Sequence, residues 1–388
     1  MKTLTVSVRR LVLVACALLL SCMIGVVQAR TQPKTPAQVW QGTLGKSPVV
    51  LKLDAVDGEL SGEYFYRKHR HGIELSGTRA ADGSVTLEEW TMGPDGADRR
   101  PGWRLAPIKG DALTGEWIGN GKRLPIRLRK VSAAALPKAD DPAIAELRQQ
   151  DSYRFLLLDG MRLQAGKLET VGGYRLQWWR EPRSDVEMFR VLSGYPEAQL
   201  PAVNLALARK HWGEVESFLD CTAASMSDYE STTTLRYIGR DALSVSVFTG
   251  YYCGGAHPDF GDGPLNLDPR TGRELALEDV LWLGQGTPPA YGDGDNDAWF
   301  EYRSKVFAPW VAEQMGTLYP AEFGGASNED CSYEMEDLWD FPTWYITAKG
   351  VYLGAIFPRV GRVCDNPEWS ILPWASVAKH RGAVRIEP

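Results

Sequence analysis

The sequence predicts a mainly β chain with an α+β second half. The first part reads as an N-terminal antiparallel β-meander or small barrel, the second as an α+β domain with an antiparallel sheet and packed helices. Three observations carry this. Residues 38–131 hold short alternating runs separated by Asp57-Gly58, Asp82-Gly83 and Asn120-Gly121, pairs that tolerate the positive φ angles of tight hairpins. The chain has 39 Gly and 24 Pro, which favours many turns. Beyond residue 142, strand-like and helix-like stretches are segregated rather than alternating, the pattern of α+β rather than parallel α/β.

A length of 388 residues suggests two or three domains. With 44% apolar and 24% charged residues the composition is globular. The formal net charge of -6 argues against nonspecific nucleic-acid binding. Five His and six Cys leave little room for multi-metal chemistry, and no cofactor is expected.

Residues 1–10 carry Lys2, Arg9 and Arg10 and no acid; residues 11–27 are almost wholly apolar, and Val27-Gln28-Ala29 follows with small residues at the −3 and −1 positions. This order predicts a secretory signal over residues 1–29 and a periplasmic or secreted product with no transmembrane span after cleavage. The alternatives are an uncleaved anchor, since the run is near spanning length, and a lipoprotein at Cys22, preceded by the loose lipobox Leu19-Leu20-Ser21. Export leaves Cys221, Cys253, Cys331 and Cys364, an even number in an oxidising compartment. Zinc is the rival, but no Cys-x-x-Cys exists.

The elements follow in order. The pattern Trp40-Gln41-Gly42-Thr43 returns as Leu60-Ser61-Gly62-Glu63, Leu75-Ser76-Gly77-Thr78 and Leu113-Thr114-Gly115-Glu116; its glycine relieves crowding where strands bend. Residues 132–142, rich in small residues and Pro, read as a linker that separates the meander from a domain over 143–388. Residues 153–158, 174–179 and 187–192 read as strands. Residues 196–219 read as a helix with Leu200, Val203, Leu207, Val215 and Phe218 on one stripe. A hairpin of residues 232–238 and 242–251 turns at Gly239-Arg240-Asp241. Short and long helices follow at 277–283 and 297–318, and Pro309 must kink or split the second. A last hairpin joins residues 343–348 to 351–357. Cys221 closes the long helix and Cys253 the returning hairpin, while Cys331 and Cys364 flank the last hairpin, so the expected bridges are Cys221–Cys253 and Cys331–Cys364.

Gly250-Tyr251-Tyr252-Cys253-Gly254-Gly255-Ala256-His257-Pro258 resembles the signature loop of the RsiV-like domain family. Leu265-Asn266-Leu267-Asp268, Thr271-Gly272-Arg273-Glu274-Leu275 and Leu277-Glu278-Asp279-Val280 continue the likeness, which extends over roughly residues 150–380 and ends on Ile371-Leu372-Pro373-Trp374. Residues 38–131 resemble no family comparably. The family's domain ends a lysozyme-sensing anti-sigma factor and accompanies a secreted polysaccharide deacetylase. The resemblance therefore implies an α+β fold outside the inner membrane and a link to the cell envelope; it carries no catalytic role. The deacetylase metal triad is not recognisable here.

Within the signature loop, Tyr251, Tyr252, His257 and Asp259 are the candidate ligand-binding residues, able to hold a sugar or peptide by stacking and hydrogen bonding. The competing reading is a structural turn in which Gly254 and Gly255 supply unusual dihedrals and His257 bonds to the loop backbone. Asp268 and Thr271-Gly272 read as a strand end and turn. Asp293, Asp295 and Asp297 form a weak calcium candidate, but the positions that should hold Gly and an acid are Ala298 and Ser304, and an acidic lead into a helix explains them as well. Arg67-Lys68-His69-Arg70-His71 reads as a solvated basic turn and His211 as a boundary residue of the long helix.

The nucleophile elbow, His-Glu-x-x-His and phosphate-loop motifs are absent from the sequence. The expected function is an exported, noncatalytic cell-envelope binding protein whose partner is a cell-wall glycan, a peptidoglycan fragment or a lysozyme-like protein, with no nucleic-acid partner. The alternative is an envelope carbohydrate-active hydrolase with a carboxylate pair that sequence does not reveal; Glu329-Asp330, Glu334, Glu336 and Asp337 supply acids, though their density near Cys331 suits a solvated loop.

Overall fold

The computed structural model describes residues 37–56, 59–90, 101–223, 226–292, 294, 296–324 and 331–386. The expected signal segment, Asp57-Gly58, Asp293, Asp295 and Glu329-Asp330 lie outside them.

Eight strands make the N-terminal part: β1 (Gln38–Leu44), β2 (Ser47–Val56), β3 (Glu59–Tyr66), β4 (Gly72–Arg79), β5 (Val85–Glu89), β6 (Gly102–Leu105), β7 (Ala112–Gly119) and β8 (Lys122–Lys130). Each pairs antiparallel with the next and β8 returns to β1, so the meander closes into a barrel. Closure explains the repeated glycines. A Cβ on Gly42, Gly77 or Gly115 would collide with the backbone carbonyl of Arg127, Thr86 or Arg104 on the neighbouring strand. Asn120 and Gly121, at φ 50° and 72°, form the tight β7–β8 turn. Trp40, Leu51, Tyr64, Leu87, Trp103 and Leu113 fill the interior. Among them sits Glu89, only 4% exposed. One of its oxygens accepts from the Tyr64 hydroxyl at 2.7 Å and from the indoles of Trp103 and Trp117 at 3.1 and 2.6 Å.

The segment after the barrel includes a 3-10 turn (Ala133–Ala135) and leads to α1 (Pro142–Gln150) and α2 (Ser152–Leu158). The second helix corrects the strand expected at 153–158. Asp151 accepts from the amides of Tyr153 and Arg154 at 3.0 and 3.1 Å, an N-cap that starts a helix. The run itself is buried at Tyr153, Phe155, Leu156 and Leu158, and a short run apolar on several sides carries no period to read. Val50 and Phe65 pack away from the barrel interior, in a second core with Leu136, Ile144, Phe155, Trp212 and Leu219.

A three-stranded sheet of β9 (Gln164–Val171), β10 (Tyr174–Arg180) and β11 (Glu187–Ser193) precedes the long helix α3 (Leu200–Cys221). The helix starts later than expected, with Pro201 in its first turn. Next come β12 (Asp228–Ile238), β13 (Leu243–Tyr252), β14 (Asp259–Asp262), β15 (Leu265–Asp268) and β16 (Arg273–Glu274), in the order β12-β13-β15-β16 with β14 also on β13. The α3 stripe of Val203 and Leu207 packs on this sheet through Leu243, Val245 and Leu267. Helices α4 (Leu277–Val280), α5 (Asp297–Tyr302), α6 (Ala308–Leu318) and α7 (Pro320–Phe323) follow. The break expected at Pro309 is a π-turn, Arg303–Phe307, just ahead of it, because proline offers no amide to the preceding turn. The hairpin β17 (Thr343–Ile346) and β18 (Gly350–Gly354), then β19 (Ile371–Pro373) and α8 (Trp374–Val377), complete the chain. Both expected disulfides are present, with Cα–Cα separations of 4.5 Å for Cys221–Cys253 and 5.5 Å for Cys331–Cys364. No helix among the described residues is long and apolar enough to cross a membrane.

Candidate functional site

A cleft of about 900 Å³ opens between the barrel and the C-terminal end of α3. The barrel contributes Glu63 on β3, Ile73 and Glu74 on β4, and Trp90 just after β5. The far side is built by the last turns of α3, where Glu214, Ser217 and Asp220 recur every three residues, and by Tyr229 on β12 and Tyr251 and Tyr252 on β13. The Cys221–Cys253 bridge locks the helix end to the strand end, so these groups share one covalent wall.

Four carboxylates thus meet aromatic faces. Among the described residues, no Lys, Arg or His lines the cleft. Glu63 lies opposite Lys52 on one side and Glu74 on the other in the strand register. Burial, and then the neighbouring Asp220, push its carboxyl above the usual range. Glu214 is engaged: Lys210 lies at 2.7 Å and the Tyr229 hydroxyl donates to it at 3.2 Å. The rings of Tyr229 and Tyr251 stack at 6.5 Å between centroids. Two large apolar groups reach solvent at the rim, Trp90 at 57% exposure and Met226 at 86%.

The structure divides the candidate residues. Tyr251 and Tyr252 line the cleft; His257 and Asp259 do not. The His257 ring lies against the Arg359 guanidinium, and Asp259 pairs with Arg362, which also donates to the Phe260 carbonyl at 2.7 Å and to Asp365 at 3.1 Å. Both side chains therefore fasten the loop to the 3-10 turn Arg359–Cys364. Gly254, at φ 85°, needs its glycine; Gly255 has neither a positive φ nor crowding, which corrects the expectation for it. Asp297 opens α5, and no group of three metal-ligating side chains occurs among the described residues.

Two further expectations are corrected. The basic turn is docked rather than solvated. Arg70 donates to the Asp159 carbonyl at 2.7 Å, Arg67 pairs with Asp159, and Arg183 reaches the His71 ring at 2.9 Å, because α2 ends beside it. His211 is fully buried rather than at a boundary, with Nε2 on the Val186 carbonyl at 3.1 Å, and burial lowers its pKa to about 3.

The likeness of this chain to known proteins is distant. No family model matches it, and no curated protein does. Two solved structures are similar in part. One is a DUF3298-family protein of Bacteroides fragilis, 12% identical, covering 57% of this chain and 94% of that one with a TM-score of 0.29. The other is a DUF3298-family protein of Pseudomonas aeruginosa, 17% identical, covering 56% of this chain and 87% of that one with a TM-score of 0.26. DUF3298 is the RsiV-like family that the sequence motifs resemble.

Glu63, Glu74, Trp90, Glu214, Asp220 and Tyr229 were not legible as a site. The three-residue recurrence of Glu214, Ser217 and Asp220, off the apolar stripe, was the one local signal available. Nothing in sequence joins them to β3 and β4.

Proposed function

We propose that the chain is an exported, glycan-binding protein of the cell envelope and that the barrel–α3 cleft holds the glycan. The observation that carries the reading is the company of carboxylates and aromatic faces in one concavity. Pyranose rings offer an apolar face to aromatic rings and hydroxyls to carboxylate acceptors. The volume of about 900 Å³ suits a short oligosaccharide, whereas a muramidase partner would need a broad surface of roughly 800 Å² on this chain. The N-terminal charge and apolar pattern and the two disulfides support export.

The test is retention on purified peptidoglycan and on chitin, with calorimetric titration of short oligosaccharides. Trp90→Ala and Tyr251→Ala should each weaken binding about 2- to 10-fold, the value of one aromatic contact. Unchanged affinity in both variants would remove the cleft from the reading.

One observation favours hydrolysis as a second reading. Burial, and then Asp220, raise the Glu63 carboxyl above the usual range, and a carboxyl with a raised pKa next to a second carboxylate is the pairing glycosidic cleavage uses. Turnover of labelled oligosaccharide, abolished by Glu63→Gln, would establish it; binding without turnover would reject it.

A further inference from the structure

The four carboxylates of the cleft are not equivalent. Glu214 is matched by Lys210 and Tyr229. Glu63 faces Lys52 across the strand pair, with Tyr153, Asp220 and Glu74 as its other charged or titratable neighbours. Glu74 and Asp220 make no ion pair and no side-chain hydrogen bond within the described residues, and both are exposed. They stand on opposite walls, one on β4 and one on α3, with the rings of Trp90, Tyr229 and Tyr251 in the same cleft.

A neutral sugar entering this space would strip water from Glu74 and Asp220 and return no charge. An ammonium group would meet them with charge-assisted hydrogen bonds and would also be attracted to the aromatic faces. We infer that the glycan this cleft prefers carries free amino groups, and that Glu74 and Asp220 select it over the N-acetylated form. The inference rests on the glycan reading and adds the charge of the ligand. A cation beside Glu63 favours its ionised carboxylate, so binding should also release a proton from the protein wherever Glu63 is still partly protonated.

The experiment titrates the full chain with a glucosamine tetramer, an N-acetylglucosamine tetramer and tetralysine, at low and at high salt and in buffers of different ionisation enthalpy. The amino form should bind about tenfold tighter than the acetylated form at low salt, from one charge-assisted contact. The advantage should shrink as salt screens it and disappear in Glu74→Gln/Asp220→Asn. A melting curve checks that this variant folds, and the wild-type comparison decides the matter even if it does not. Equal or tighter binding of the acetylated tetramer overturns the amine preference and leaves the glycan reading standing. Absence of binding by both sugars defeats both. Tetralysine binding as tightly as the glucosamine tetramer shows a site that reads charge alone, which overturns the assignment to a glycan.

Discussion

Removing the Glu89 carboxylate should cost the barrel several kcal/mol. Three donors converge on one of its oxygens, at 2.7, 3.1 and 2.6 Å, inside a closed barrel. Glu89→Ala leaves the Tyr64 hydroxyl and the Trp103 and Trp117 indoles without acceptors, and an unsatisfied buried donor costs about 1–3 kcal/mol. Taking the low end for each, because relief of the buried acid offsets part of the loss, gives about 3 kcal/mol. Glu89→Gln keeps an oxygen in place and loses only the charge assistance, so about 1 kcal/mol is expected. Urea unfolding followed by near-ultraviolet circular dichroism reads the site directly, since the Tyr64 and Trp103 rings are 4.8 Å apart between centroids. An Ala variant within about 0.5 kcal/mol of wild type, or a Gln variant less stable than the Ala one, would refute the role given to this side chain.

Other outcomes follow from the same structure. Cys221→Ser/Cys253→Ser opens a loop of sequence separation 32 and should lower stability by about 4 kcal/mol on the chain-entropy account, measured by denaturant melts under nonreducing conditions. Gly254→Val should destabilise by about 1–3 kcal/mol from its positive φ, while Gly255→Val should leave the melting temperature nearly unchanged; equal effects would show the loop is misread. Glu63 titrates above its unfolded value of 4.5, so its protonated form is the one the fold favours. Its contribution is complete below that value and is lost as pH rises through the raised pKa. Glu63→Gln should therefore gain stability over wild type as pH climbs from 4 to 8, and a constant difference would contradict the assignment. Residues 38–131 expressed alone should fold as a β domain. They should be less stable than in the full chain by about 3–6 kcal/mol, because Val50 and Phe65 lose their cover; a fragment without a cooperative melt would show that the barrel needs its neighbour.

The barrel was the most legible part, for a local reason. Asp82-Gly83 and Asn120-Gly121 mark two of its turns outright, and Gly42, Gly77 and Gly115 recur where a Cβ would meet the neighbouring strand. The disulfides were readable for a similar reason, since each pair of cysteines flanks one hairpin, β12–β13 or β17–β18. Residues 153–158 misled because an N-cap of one residue, Asp151, outweighs a run with no period. The site was half legible. Tyr251 and Tyr252 belong to a recognisable loop, but His257 and Asp259 in that loop are spent on Arg359 and Arg362. The carboxylates escaped because Glu63 and Asp220 lie far apart in the chain and only docking of α3 beside β3 and β4 makes them neighbours.

The two walls of the cleft have different freedom to change. On the α3 side, Asp220 immediately precedes a bridged cysteine and Tyr251 and Tyr252 immediately precede its partner, so backbone shifts there strain a covalent link. On the barrel side, Glu74 is an exposed strand position and Trp90 follows a strand end, where substitutions leave the closed ladder intact. Changes to the chemistry of the cleft are therefore tolerated on β4 and after β5 and resisted on the bridged wall. The bridged wall acts as a fixed anvil, and the barrel face opposite it is the side that can be reshaped.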